Sequence, residues 1–179
     1  MIKRILGNWY RYILWALLSA VFWAWIFTLL FSAPAKKKVV LYADLPALDR
    51  NALSMALEED LPEGIRIVDT AVFDDMMFNQ TEVLTGDLYL IPDSRVEEYL
   101  ASFTPIDPAD FPDAAFFESD GEPYGILVYD EEKGLRIAGD LICYVPGERC
   151  WLFFNKDSQH IGQNDDAAIV IAQHFLNLQ

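Results

Sequence analysis

The sequence predicts an α/β domain that follows one membrane-spanning helix, and three observations carry this prediction. No charged residue occurs between Arg11 and Lys36, a stretch long enough to cross a bilayer. After it, short apolar runs alternate with amphipathic segments, which is typical of strands joined by helices in a parallel sheet. Near the C-terminus, two apolar runs flank a Pro-Gly pair and indicate an antiparallel hairpin. We therefore predict a three-layer-like domain with a mixed, mainly parallel sheet.

The predicted anchor covers residues 13–32. Its core, Ile13–Phe31, is apolar except for Ser19 and Thr28, and a helix closes all its backbone hydrogen bonds internally, as lipid requires. A cleaved signal peptide is the alternative, although the apolar run exceeds the roughly 7–15 residues of a signal h-region. The predicted organisation is a cytoplasmic flank (1–12), a signal-anchor helix (13–32), a linker (33–38) and an acidic extracytoplasmic domain (39–179).

The flanking charge of the anchor is nearly symmetric. Lys3, Arg4 and Arg11 precede the apolar stretch, and residues 36–38 are lysines, so the positive-inside rule favours neither direction strongly. The N-terminal segment is too short to be a translocated cargo, and acidic residues do little to oppose translocation. We predict that the N-terminus is inside and the domain outside, at the cell membrane.

The charge of the domain limits its partners. All 28 acidic residues lie at or beyond Asp44, and residues 39–179 contain only seven Lys or Arg, a formal charge of −21. Nucleic-acid binding depends on neutralising phosphates with Lys and Arg, so no nucleic-acid partner is expected. Such charge indicates solubility at least, and an acidic surface for a small cationic or polar solute is the sharper interpretation.

The first half of the domain contains three predicted strands and two helices. Val39–Tyr42, Ile65–Val68 and Leu88–Ile91 are short apolar runs. A helix with one apolar face extends from Leu48 to about Asp60, and a short helix is expected between residues 74 and 86. Ser94 and Glu97 have the spacing of a capping box, which predicts the start of another helix.

The second half begins with a predicted loop over residues 104–123, which holds four prolines. A strand follows at Tyr124–Tyr129, and a hairpin pairs Leu141–Val145 with Cys150–Phe154. A last, well-buried helix begins near Asp165, where its macrodipole favours an acidic side chain.

The two cysteines flank the predicted hairpin turn. If Pro146-Gly147 forms a two-residue turn, Cys143 and Cys150 lie opposite each other, close enough for a disulfide. Two half-buried free thiols are the alternative. No further Cys or His lies near them at the spacing of metal ligands.

Several short strings in the domain resemble bacterial periplasmic solute-binding proteins of the type II class. The segment 39–44 with its following helix, and the Gly-Asp-hydrophobic run 86–93, resemble the first lobe of that family. The segment 153–158, Phe-Phe-Asn-Lys-Asp-Ser, followed by an apolar helix, is similar to the family's return segment. The resemblance implies a single-lobe, truncated relative, with residues 104–149 in place of the second lobe.

Three residues are the candidate ligand-binding residues. In α/β sheets, ligands bind outside the carboxyl ends of the parallel strands. That position nominates Asp44 after the first strand, and Asp93 and Ser94 after the third. A turn-forming role for Asp44 and a capping role for Ser94 are the alternatives.

The sequence contains no recognisable catalytic motif. It has no nucleophile elbow, zinc-protease motif, phosphate loop or dinucleotide fingerprint. His160 would be a general base only beside a nucleophile, and His174 lies in the apolar final helix. We therefore expect a non-enzymatic, cofactor-free recognition or interaction domain, anchored in lipid through residues 13–32. The alternative is an accessory subunit that contacts a membrane protein; a degenerate hydrolase is a third hypothesis.

Overall fold

The computed structural model describes residues 9–31, 35–59, 61–73, 86–162 and 165–178. Two compact units make up the chain, one ending at Pro34 and the other beginning at Ala35. The predicted short helix at 74–86 falls almost wholly outside the described residues.

The first unit contains helix α1, Trp9–Phe31. The helix begins four residues before the predicted start at residue 13, and residue 32 lies outside the described residues. Most of its large apolar side chains between Trp9 and Phe27 are exposed, and the Thr28 hydroxyl donates a hydrogen bond to the Ala24 carbonyl at 2.9 Å. By length and composition, α1 is able to cross a membrane.

The second unit is an α/β domain. Its helices are α2 (Arg50–Leu57), α3 (Val96–Tyr99) and α4 (Ala167–Leu176), with 3-10 turns that include Asp93–Arg95 and Pro108–Asp110. Its strands are β1 (Lys38–Ala43), β2 (Ala47–Leu48), β3 (Ile67–Val72), β4 (Leu88–Pro92), β5 (Phe116–Ser119), β6 (Glu122–Asp130), β7 (Leu135–Arg136), β8 (Ile142–Cys143) and β9 (Cys150–Phe154).

The main sheet has the order β3-β1-β4-β9-β6-β5, and β7 also pairs with β6. Strand β1 pairs in parallel with β3 and β4, while β9, β6, β5 and β7 join by antiparallel pairing. The predicted mixed sheet is confirmed. The expectation that it is mainly parallel is wrong, because only two of the six pairings among the described strands of this sheet are parallel.

A hydrophobic core covers each face of the sheet. On one face, helices α2 and α4 contribute buried side chains such as Leu53 and Phe175 to a cluster with alternate residues of β1. On the other face, an aromatic cluster forms around Tyr89, Phe103 and Phe153, with Phe103 stacked on Phe153 at a ring-centroid distance of 4.5 Å. Every residue of β4 and β9 is buried because these central strands are covered on both faces.

The predicted hairpin is wrong. Strand β9 lies between β4 and β6, and Cys150 stands opposite Pro92. Strand β8 instead pairs with β2, where Cys143 stands opposite Ala47. The physical reason is that Cys150–Phe154 is apolar on both faces, so it gains more from burial at the sheet centre than in a two-stranded hairpin.

The predicted capping box is also absent. The segment after β4 starts as a 3-10 turn whose N-cap is Pro92, with no side-chain cap, and the backbone N–H of Ser94 donates to Glu148 Oε1 at 2.9 Å. The predicted loop at 104–123 contains strand β5. The prolines on either side of this strand favoured the prediction of a loop.

Side chains of α2 shield one edge of the sheet. At the outer edge of β3, Val68 N–H donates to Glu58 Oε1 at 3.0 Å, and Arg50 Nε donates to the Thr70 carbonyl at 2.9 Å. Thr70 Oγ1 returns a hydrogen bond to the Arg50 carbonyl at 2.9 Å. These contacts occupy backbone groups that would otherwise pair with another strand.

Candidate functional site

The candidate site lies where the sheet reverses its strand order. The first strand of the domain, β1, lies between β3 and β4, so the carboxyl ends of β1 and β4 meet at a topological switch point. Asp44 follows β1, and Asp93 and Ser94 follow β4. The three predicted residues therefore lie together at the carboxyl ends of these parallel strands. Their role in ligand binding stays a prediction.

The switch point itself is closed by Arg95. Its guanidinium forms an ion pair with Asp44 (Nη1 to Oδ2, 2.9 Å), donates to the Tyr99 hydroxyl and lies 5.0 Å from the centroid of the Tyr99 ring. The side chains of Arg95 and Asp44 are 25% and 17% exposed. A cation and aromatic rings in this arrangement stabilise each other when water is partly excluded. Asp44 thus anchors a residue of the protein itself.

Asp93 is held beside the switch point by two donors. Arg149 Nη2 donates to Asp93 Oδ2 at 2.8 Å, and Trp151 Nε1 donates to Asp93 Oδ1 at 2.7 Å. The Asp93 backbone N–H donates to the Arg149 carbonyl at 2.8 Å. This carboxylate is 32% exposed and faces solvent on one side.

An open cleft adjoins Asp93 and Ser94, with a volume of about 880 Å³. Its other walls are the turn after β6 and the loop before β9, because these strand ends lie at the same edge as the end of β4. The cleft is lined by Asp93, Ser94, Asp130, Glu131, Glu132, Lys133, Gly147, Glu148 and Arg149. Five carboxylates and two basic side chains give it a formal charge of −3.

Hydrogen bonds to the backbone fix the cleft walls. Asp130 Oδ1 accepts from the N–H groups of Glu132 and Lys133, at 3.0 and 3.3 Å, which forms the turn after β6. Glu131 Oε2 accepts from Gly147 N–H at 2.7 Å, joining that turn to the opposite loop. Glu148 Oε1 accepts from Ser94 N–H, so three segments distant in sequence are linked around the cleft.

The polar groups that the cleft offers to a ligand are mainly carboxylate oxygens. In the described part of the chain, no group of three or more His, Cys, Asp or Glu is placed to hold a metal ion. The hydrogen-bonded carboxylates Glu131 and Glu148 retain acceptor capacity, and Glu132 is exposed. This arrangement is able to bind an ammonium or guanidinium group through charge-assisted hydrogen bonds.

A buried polar network lies at the other end of the parallel strands, beside the amino end of β4. Asp87, 3% exposed, accepts from Val40 N–H at 2.9 Å and from Ser158 Oγ at 2.5 Å. His160, 2% exposed, donates its backbone N–H to Ser158 Oγ at 3.0 Å and places Nδ1 3.0 Å from Asp165. Burial raises the pKa of Asp87 above its ordinary value. The network ties the loop after β9 to the start of β4.

The segments that contain Asp87 and Ser158 both stood out in the sequence, but their contact was not predicted. Asp87 lies in the Gly-Asp run and Ser158 in the return segment, two of the strings on which the family resemblance depends. Ser158 carries the potential nucleophile that contacts His160, because its hydroxyl oxygen accepts from the His160 backbone N–H. Its hydroxyl donates to Asp87, so the contact in the structure links the loop after β9 to the residue before β4.

The two cysteines are free in the structure. Cys143 is exposed and Cys150 is buried, on strands that do not pair with each other. The predicted disulfide therefore loses its basis. Burial raises the pKa of the Cys150 thiol, which keeps it protonated and unreactive.

Three residues around Asp44 and Asp93 were not predicted from the sequence: Arg95, Arg149 and Trp151. The available signal was their rarity: only seven Lys or Arg serve the 141 residues from 39 to 179. A basic residue so outnumbered by carboxylates is expected to have an acidic partner. Which carboxylate it meets depends on the strand order.

No protein-family model matches this sequence, and no curated protein matches it either.

Proposed function

We propose that the acidic domain recognises a small cationic solute at a membrane surface and performs no chemistry on it. The observation that carries the proposal is the cleft of about 880 Å³ beside the switch point, lined by five carboxylates and two basic side chains. Ligand clefts of roughly 300–1,000 Å³ are typical of small-molecule sites, and the edge at which it lies is the usual one for α/β folds.

The charge of the cleft selects the class of solute. An ammonium or guanidinium group would bind the exposed oxygens of Glu132 and Asp93. The ion pairs of Arg149 with Asp93 and of Lys133 with Asp130 reduce the repulsion among the carboxylates before a ligand binds. An anion would meet net negative charge and is disfavoured.

Helix α1 supports a function at the membrane surface. We infer that it crosses the bilayer once and places the domain outside the cell, because the acidic residues of the domain do little to oppose translocation. Protease treatment of intact cells tests the direction: cleavage of the domain before lysis supports it, and protection until lysis contradicts it.

The relation to type II solute-binding proteins remains part of the proposal. It is supported by the contact between the Gly-Asp run and the return segment, because Asp87 and Ser158 are hydrogen bonded. A single lobe would bind its solute at an open edge rather than between two closing lobes.

Thermal unfolding of the full chain in detergent tests solute recognition. Lysine, arginine and spermidine at millimolar concentration are expected to raise the unfolding temperature, because a ligand of the folded state stabilises it; uncharged sugars serve as the comparison. Glu132→Gln should reduce the shift, whereas Glu63→Gln, an equal change on the exposed loop before β3, should not. No shift with any of these amines would contradict the proposal.

A further inference from the structure

The outer edge of strand β5 is the second notable surface of the domain. Strand β5 ends the path of the main sheet opposite β3. The Leu127 N–H donates to the Ala115 carbonyl at 2.8 Å, and Phe116 stands opposite Ile126. Because hydrogen-bonded and non-hydrogen-bonded pairs alternate in antiparallel strands, the N–H and C=O of Phe116 point away from β6.

No described residue shields this edge, in contrast to the edge at β3. There, Glu58 and Arg50 occupy Val68 N–H and the Thr70 carbonyl. Within the described ranges, no side chain or backbone group hydrogen bonds the outward N–H or C=O of Phe116. A bulge between Phe117 and Glu118 ends the regular edge on its far side. The usable template is therefore the outward N–H and C=O of Phe116, because Ala115 and Phe117 direct their backbone groups toward β6.

An apolar groove of about 500 Å³ adjoins this edge. Strands β5 and β7 both pair with β6 on its outer side, β5 near its start and β7 at its end. The groove lies between them, and the apolar residues that line it include Phe111, Leu127, Leu135, Ile137 and Leu176. It offers apolar contact next to free backbone groups.

The rim of the groove and edge is acidic. Residues 104–129 contain six Asp or Glu and no Lys or Arg. Asp113 and Glu118 are exposed on either side of the free edge, and neither has a resolved ion pair within the described residues. Lys133 is the basic side chain at the groove.

We propose that this surface binds an extended segment of a partner protein in which basic and apolar residues alternate. Edge strands bind peptides by adding a strand, with main-chain hydrogen bonds giving affinity and alternate side chains giving specificity. Apolar side chains of the segment enter the groove, and the intervening Lys or Arg side chains meet Asp113 and Glu118. Charge complementarity excludes a second copy of this acidic domain as the occupant, because like charges would face each other.

Fluorescence anisotropy with the full chain in detergent tests the proposal. The probe is a labelled short peptide in which lysine and valine alternate, and the comparison peptides contain the same residues with the lysines grouped at one end, or glutamate in place of lysine. The alternating basic peptide is expected to bind, and more weakly as salt rises. Equal binding of the grouped peptide, or no binding at all, would overturn the proposal.

Matched variants locate the bound peptide. Asp113→Asn with Glu118→Gln is expected to weaken binding about fivefold, since two rim charges are lost. Glu59→Gln with Glu63→Gln makes the same charge change between α2 and β3 and should leave the affinity unchanged. Equal weakening by both pairs would mean unspecific attraction to an acidic protein and would refute the proposal.

Hydrogen exchange gives a readout that does not depend on charge. Peptide binding should slow amide exchange in residues 114–119 and leave residues 67–72 unchanged. Protection confined to the loops at 130–133 and 147–149 would place the peptide in the solute cleft and overturn the docking surface. Glu132→Gln, which tests the solute cleft, should leave peptide binding intact, so the two proposals fail separately.

Discussion

Replacing Asp87 with alanine should destabilise the acidic domain more than any exposed substitution. The carboxylate is 3% exposed and accepts from Val40 N–H at 2.9 Å and from Ser158 Oγ at 2.5 Å. Its removal leaves two donors without an acceptor at the edge of the sheet. Each such group costs about 1–3 kcal/mol, and the Ser158 hydroxyl is able to rotate, so we expect a loss of about 2–4 kcal/mol.

Asparagine at this position separates hydrogen bonding from charge. Asp87→Asn keeps one acceptor oxygen, and its amide is able to donate to Ser158 Oγ, so its cost at neutral pH should be about 1 kcal/mol. Asp157→Ala is the matched control, because Asp157 is an exposed aspartate in the loop that contains Ser158. Urea unfolding of the full chain in detergent, followed by circular dichroism, measures the differences. An alanine variant no less stable than this control would refute the reasoning.

The pH dependence of the Asp87 effect has a definite sign. Burial raises the pKa of Asp87 in the folded domain, so the folded state holds this proton to a higher pH than the unfolded chain. The stability contributed by Asp87 is therefore largest below its unfolded pKa of about 3.9 and falls as pH rises through the folded pKa. The advantage of the wild type over Asp87→Asn should shrink from about pH 4 to pH 7. An advantage that grows over this range would contradict the assignment.

Three further predictions concern single residues. Alkylation of the native protein should modify Cys143 and spare Cys150 until urea unfolds the domain, as mass spectrometry would detect; equal rates would contradict the burial of Cys150. Glu58→Ala should cost about 1 kcal/mol, because Val68 N–H loses its acceptor, and it should promote association through the exposed edge, which light scattering would show; a monodisperse, equally stable variant would contradict it. Arg95→Lys should destabilise nearly as much as Arg95→Ala in thermal unfolding, since a guanidinium both pairs and stacks at the switch point; full rescue by lysine would contradict it.

The sequence by itself predicted the apolar helix, the α/β class and strands close to β1, β3 and β4, because these depend on local patterns. The predicted strand Ile65–Val68 shares only Ile67 and Val68 with β3, and β2 was not predicted. Hydrophobic runs and periodicity show which segments are buried, and the order of strands and helices placed Asp44, Asp93 and Ser94 at one edge of the sheet. The acidic charge and the absence of catalytic motifs also follow from the printed sequence alone.

The tertiary structure alone decided which segments became neighbours. Cys150–Phe154 has the same pattern in a hairpin as in a central strand, and only competition for burial between β4 and β6 selects the second. The partners of Arg95 and Arg149 depend on that strand order, since Asp44 and Asp93 are about 50 residues or more away along the chain. Ionic contacts of this kind act over a few ångströms in space, so spacing along the chain does not reveal them.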